Sequence, residues 1–355
     1  MYYRESGYYK TNYKSDMGLY PLPISRFSAF ALLVLFFIAA PLVMSEYYLT
    51  LLSLVAIATV GALGLNILLG YAGQLSIGHA AFMSVGAYTA ANLATKFDLP
   101  FLITLPAGGL MAAAIGIIVG VPSLRIKGVY LAIATLAAQF IIEWIINHSP
   151  SISGGAQASI EVARPTLLGE KLDSPTELYY FLLIVAVVAV IATQNLIRSR
   201  VGRAFVAIRD QDIAAEIIGI SVFKYKLYAF AISSFYAGIT GVLYTYYLGI
   251  ASYEQFQLGV SIDYLAMVII GGLGSVLGSV FGAFFISLLP IAIRLVMETV
   301  GSIFVEPDVL AQSISQLRQI LFGVLIIFFL IVEPDGLNRL WINVRNYFRV
   351  WPFSH

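Results

Sequence analysis

Residues 198–220 read RSRVGRAFVAIRDQDIAAEIIGI, a polar island in a chain that is otherwise mostly hydrocarbon. Arg198, Arg200, Arg203 and Arg209 lie in it, between the long apolar runs 178–197 and 227–249. Arginines clustered in a short connection between apolar runs mark the cytoplasmic side of a membrane. Asp212 is placed to cap a short helix, and Gly219 supplies its C-terminal stop. On that helix Ile213 and Ile217 fall one turn apart, with Ala214 and Ile218 alongside and Asp210, Asp212 and Glu216 flanking. An apolar stripe on a water-facing loop has two readings: a partner docks there, or the helix packs back on its own bundle or among lipid headgroups. The pattern alone does not choose between them.

Outward from the island the class is plain. The chain has 355 residues, 60% hydrophobic and 11% charged, with a mean hydropathy of +0.89; a soluble domain carries about 25% charged residues. Apolar runs of roughly twenty residues recur along it, which predicts an all-α, polytopic helical bundle in the membrane. The chain has no cysteine, so disulfides and thiol metal sites are excluded. Residues 1–26 are polar and tyrosine-rich, and are expected to form a cytoplasmic tail rather than a cleavable leader. The membrane domain is expected over 27–335 and a cytoplasmic C-terminal tail over 336–355.

About ten spans are predicted, near 27–44, 48–69, 80–95, 100–121, 129–147, 178–196, 227–249, 264–270, 276–296 and 317–332. The eighth is short and runs into GGLGS at 271–275, so it is a crossing or one arm of a re-entrant hairpin, and eight spans are the alternative. With both termini inside, ten crossings place Arg125, Lys127, the arginine island and Arg339, Arg345 and Arg349 in the cytoplasm. The lysine-poor stretches 148–177 and 252–263 then fall outside, where they are expected to receive an extracytoplasmic partner.

Two glycine-rich stretches interrupt the apolar pattern. Gly274, Gly278 and Gly282 are spaced four apart, which suits close helix packing. The other stretch holds Gly70, Gly73 and Gly78 with Gln74, Ser76 and His79 among them. Irregular polar backbone at membrane depth persists only when buried in protein or lining a wet cavity, so these three side chains are candidates for a translocation pathway, with packing as the plainer reading for His79. Gln139 and Glu143, one turn apart, are expected to be a structural pair.

Ionisable residues deep in the spans are scarce, which argues against proton-coupled transport. The chain carries no P-loop sequence, no metal-ligand cluster and no Ser-His-Asp arrangement, so no enzyme activity and no metal is expected. If transport is driven by ATP, another polypeptide hydrolyses it.

Four segments carry a resemblance: GLNILLGYAGQLSIGHAAFMSVGAY (64–88), LRIKGVYLAIATLA (124–137), SRVGRAFVAIRDQDIAAEIIGI (199–220) and IIGGLGSVLGSVFGA (269–283). In this order they resemble the permease subunits of branched-chain amino acid ABC importers, most closely the M-type (LivM-like) subunits, over roughly 51–336. The resemblance implies an inner-membrane complex with a second, H-type permease, two ATPase subunits that bind ATP and Mg, and an extracytoplasmic substrate-binding protein. It implies no cofactor on this chain and no nucleic acid among its partners. The island then looks like the ATPase-coupling loop, carried by Arg203, Arg209, Asp210, Asp212, Ile213, Ala214, Ala215, Glu216 and Gly219, with Ala214, Ala215 and Gly219 matching its small-residue core. Gln74, Ser76 and His79 are expected near the second permease. The alternatives are a urea or short-amide importer permease and a channel or facilitator working alone, which leaves the stripe unexplained.

Overall fold

Where no glycine-rich or polar stretch interrupts them, the apolar runs become helices. The computed structural model describes residues 12, 30–31, 34–124, 128–155, 158–167, 170–172, 174–296, 320, 323–324, 327–329, 331 and 336–350. A short helical stretch, 35–43, precedes Glu46–Asn66 (α1), which a π-helical turn prolongs over Ile67–Tyr71. There follow His79–Phe97 (α2), Phe101–Ser123 (α3), Val129–His148 (α4) and Pro175–Arg198 (α5). Arg200–Asp210 (α6) and Asp212–Ile217 (α7) are the island, and Val222–Leu248 (α8), Leu258–Gly271 (α9), Val276–Val296 (α10) and Gly336–Val350 (α11) complete the order. Among the described residues six helices are long and apolar enough to cross a membrane, covering 46–71, 101–123, 130–148, 175–198, 222–248 and 276–293. The fold is a mostly helical, polytopic membrane protein. The expected N-terminal tail apart from residue 12, Arg125 and Lys127, and most of the tenth expected span lie outside the described residues.

Burial separates the centre of the bundle from its rim. In its most apolar window α1 is 83% buried and α8 67%, against 22% for α5, so α1 and α8 form the core and α5 lies at its rim. Small residues make that core possible. A Cβ on Gly238 would meet Ala112 at 2.5 Å and the Gly108 carbonyl at 2.8 Å, so α8 and α3 touch backbone to backbone. Gly86 of α2 closes on the same point.

The two ends of the bundle differ. At one end Ser159–Glu161 (β1) pairs antiparallel with a strand at Ile250–Ser252, placing Ser159 opposite Ser252. A second small pair, Thr166–Leu167 (β2) with Glu170–Lys171 (β3), sits in the same loop, and the 250–252 strand is β4. The all-helical expectation is corrected to this extent. Asn92 and Lys96 on the last turns of α2 donate to the carbonyls of Ile152 and Ser151 at 2.7 and 2.6 Å, pinning that loop down. The stretches 148–177 and 252–263, expected on one side, thus share one end. The opposite end carries α6, α7 and the start of α8.

The expected eighth span starts earlier than its apolar run, at Leu258, because Ser261 and Asp263 break the hydropathy but not the helix. At 14 residues it spans about 21 Å, short of the roughly 30 Å hydrocarbon core. A 3-10 turn at Tyr253–Phe256 precedes it, and a Cβ on Gly336 would stand 2.6 Å from the Gly272 nitrogen just past its end. Residues 336–350, expected within a tail, form helix α11, whose Trp341 ring lies 5.9 Å from that of Phe281 on α10.

Candidate functional site

The island folds into two helices at an angle. Ser199 opens α6, its Oγ accepting from the Val201 and Gly202 amides at 3.2 and 3.4 Å, which satisfies donors left free in a first helical turn. Phe205 and Ile208 are buried and fix α6 against the bundle. Arg203 reaches back to the Arg198 carbonyl at 2.9 Å. Gln211, in an extended conformation, breaks the chain between α6 and α7.

Helix α7 ends as its sequence requires. Gly219 has φ +89, and its amide bonds the Glu216 carbonyl at 3.0 Å while the Ile220 amide bonds that of Ala215 at 2.9 Å. This pair of bonds is the Schellman stop, which only a residue free of Cβ strain adopts readily. The start differs from expectation: Gln211 holds the cap position and Asp212 is the first helical residue. The Asp212 carboxylate turns to Lys226 on α8, at 3.7 Å, which pulls it away from the amides it was expected to cap.

The faces of α7 are unequal. Ala215 is 2% exposed and meets the bundle, whereas Ile213, Ile217 and Ile218 are 63, 81 and 74% exposed. Ala214 and Glu216 lie on the exposed side too. The helix therefore uses one small residue to pack back and leaves its isoleucines outward. Ala215 packs back on the bundle, and the stripe of Ile213, Ala214, Ile217 and Ile218 stays exposed.

Beneath the island the two glycine-rich stretches meet, a contact the sequence did not announce. Asn66, 1% exposed, accepts from the Gly274 amide at 2.9 Å and donates to the Ser275 carbonyl at 2.8 Å and Ser279 Oγ at 2.7 Å. Arg209 joins this corner: Nη1 donates to the Gly70 carbonyl at 2.9 Å, while Nε and Nη2 hold Asp210 Oδ1 at 3.0 and 2.8 Å. A Cβ on Gly274 would stand 3.0 Å from Arg209 Nη1, and one on Gly73 3.0 Å from Arg209 Cγ. Gly274, with φ +71, is thus a turn residue that makes room for a side chain. Gly278 and Gly282 behave as expected of packing residues; a Cβ on Gly278 would lie 2.6 Å from the Gly271 carbonyl, and one on Gly282 would overlap that of Met267.

From Gly73 the chain runs without helix to Gly78, then starts α2 inside the bundle. Starting a helix there leaves its first amides without intrahelical partners, and neighbouring side chains supply them. The Ile77 amide bonds Thr135 Oγ1 at 3.0 Å, that of Ala80 bonds Ser261 Oγ at 2.9 Å and that of Ala81 bonds Gln139 Oε1 at 2.8 Å. Gln139 Nε2 in turn donates to the Phe256 carbonyl at 2.9 Å. The expected pairing of Gln139 with Glu143 is replaced by this role. The i, i+4 rule pointed along α4, and the residue reaches across to α2 and the 253–256 turn. Asn66 and Gln139 were signalled only as lone amides in apolar runs.

Gln74, Ser76 and His79 are 2, 3 and 2% exposed, so the structure places all three inside this chain rather than on a face open to another. Gln74 Nε2 donates to the Lys226 carbonyl at 3.2 Å, and the His79 ring lies 5.2 Å from that of Tyr264. Gln74 Oε1 and His79 Nε2 are buried without a hydrogen-bond partner, a rare and costly condition. Among the described residues no group of His, Cys, Asp or Glu is arranged to hold a metal ion.

Comparison with known proteins bears on this arrangement. The family described as the permease component of the branched-chain amino acid transport system matches residues 47–330. The high-affinity branched-chain amino acid transport system permease protein LivM of Escherichia coli K12 is 32% identical over 330 residues, 86% of this chain and 73% of its own length. The LivM protein of Salmonella typhimurium is 30% identical, over 84% and 72%. The ribose import permease protein RbsC of Haemophilus influenzae is 29% identical over 66% of this chain and 73% of its own. No solved structure shows a significant match.

Proposed function

We propose, from the premise that this chain belongs to the branched-chain amino acid transport system permease family, that it is one permease subunit of an ATP-driven inner-membrane importer. Its cargo is branched-chain or other hydrophobic amino acids, delivered by an extracytoplasmic binding protein to the end that carries the β1–β4 pair. The end that carries α6 and α7 faces the cytoplasm, and ten crossings put both termini there. A second, H-type permease completes the passage, and two ATPase subunits bind ATP and Mg.

One observation carries this reading: α7 holds three isoleucines outward, each more than 60% exposed, on a helix that follows an arginine-rich connection. Lipid does not account for them, because Asp210, Gln211 and Glu216 are exposed around them and want water. A partner that covers the stripe recovers on the order of 25 cal/mol per Å² of apolar surface. A channel working alone has no use for such a face.

Gln74 Oε1 and His79 Nε2, sealed and unpartnered, fit a passage that is shut in this conformation and wetted when the bundle opens. The test is uptake by the reconstituted complex, with its own ATPases, second permease and binding protein, of a panel of leucine, isoleucine, valine, urea and ribose. ATP-dependent uptake of the first three supports the reading; uptake of urea or ribose alone overturns the cargo, and uptake without ATPase subunits overturns the class.

A further inference from the structure

Two broken membrane segments, one docking helix and one arginine meet at a single corner. Gly70 lies in the π-helical turn after α1, and Gly274 lies in the break between α9 and α10. These are the places where a span bends without losing regular helical bonds, since Gly73, Gly272 and Gly274 all have positive φ. The Arg209 side chain threads between Gly73 and Gly274 and ends on the Gly70 carbonyl. Arg209 itself is in the last turn of α6, and only Gln211, in an extended conformation, separates that helix from α7.

We infer that Arg209 is the positioning residue through which displacement of α7 reaches both broken spans. This rests on the docking reading of α7. A push on the exposed isoleucines turns α7 about Gln211 and moves the last turn of α6, next to Phe205 and Ile208 that are buried against the bundle. The guanidinium then carries the load in two directions. Nε and Nη2 stay on Asp210, beside the hinge, and Nη1 pulls on the end of α1. Because Asn66 ties α1 to the Gly274 amide, α10 moves with it. A second, weaker tie runs from Asp212 to Lys226, whose carbonyl accepts from Gln74. A plain structural role is the rival: an arginine that satisfies the Gly70 carbonyl near the end of α1 and nothing more. The two differ in what they do to the ratio of ATP hydrolysed to cargo moved.

The complex is reconstituted in vesicles, and hydrolysis and uptake of a panel of leucine, isoleucine, valine and phenylalanine are measured on the same preparation. Arg209→Ala is expected to raise the ATP hydrolysed per amino acid by about tenfold, the size of one charge-assisted hydrogen bond. Arg209→Lys keeps a donor for the Gly70 carbonyl but loses the fork to Asp210, so its ratio falls between. A wild-type ratio in Arg209→Ala overturns the inference and leaves the docking reading standing. If Arg209→Ala fails to reach the membrane, Arg209→Lys decides, and an unchanged ratio there overturns it. Failure of the wild-type chain to assemble with its ATPases, or to take up any of the panel, overturns the docking reading and the inference together.

Discussion

Asn66 Oδ1 accepts a hydrogen bond from the Gly274 amide at 2.9 Å across 208 residues of sequence. That bond joins the end of α1 to the turn before α10, and both breaks in the apolar pattern lie within a few residues of it. A lone amide side chain in a buried apolar helix is costly unless every polar atom is used. Here both ends of the amide are used, toward Gly274, Ser275 and Ser279.

Asn66→Ala is therefore expected to destabilise the protein by about 1–3 kcal/mol, since the Gly274 amide, the Ser275 carbonyl and the buried Ser279 hydroxyl all lose a partner. Thermal unfolding of the purified chain in detergent reads this as a lowered midpoint. Thr50→Ala, which removes an exposed bond to the Glu46 carbonyl, is the control and is expected to shift it little. Equal shifts for the two deny Asn66 its role.

The contrast between α7 and this corner explains what could be read from the sequence. The stripe on α7 was legible because its residues lie one turn apart and its stop needs a glycine, both local rules. The meeting of Gly70 with Gly274 was not, since no local pattern says which of several glycines approach one another. Gln139 failed for a related reason: an i, i+4 neighbour was at hand, and the true partners lie on α2 and before α9. The start of α9 was missed because hydropathy marks lipid contact, while Ser261 faces the Ala80 amide inside the bundle. Helix α11 was missed because its pattern is amphipathic rather than uniformly apolar.

Opposite faces of α7 are expected to answer differently to one charge. Ile217→Glu changes a side chain that is 81% exposed, so the chain inserts normally but no longer co-purifies with its ATPase subunits. Ala215→Glu forces a carboxylate into a site 2% exposed, so the loss appears as poor accumulation in the membrane. Normal co-purification of Ile217→Glu, checked by affinity capture from solubilised membranes, removes the docking face.

The N-terminal turn of α2 is expected to depend on Gln139. Gln139→Leu removes the acceptor of the Ala81 amide and the donor to the Phe256 carbonyl, so hydrogen exchange over 79–84 speeds up. Gln139→Glu keeps an acceptor for Ala81 and loses the donor, which leaves α2 protected and loosens the 253–256 turn. Equal exchange over 79–84 in both variants shows that α2 is held by its packing alone.

Sidedness is expected to follow from the β1–β4 pair. Ser159 and Ser252 stand directly opposite each other in an antiparallel register, where Cα atoms are about 4.5–5.5 Å apart, inside the range a disulfide spans. The native chain has no cysteine, so the double variant Ser159→Cys, Ser252→Cys reports on these positions alone. Oxidation is expected to close the bridge, and a membrane-impermeant reductant added outside intact cells is expected to reopen it. A single Ile217→Cys, at the other end of the bundle, is expected to react with an impermeant maleimide only after the membrane is opened. The two ends of one helical bundle are then assigned to the two sides of one membrane by separate chemistry. Reduction of the 159–252 bridge only after the membrane is opened, with 217 labelled from outside, inverts the topology. It also places α7 where no ATPase can reach it, so the docking reading falls with the orientation.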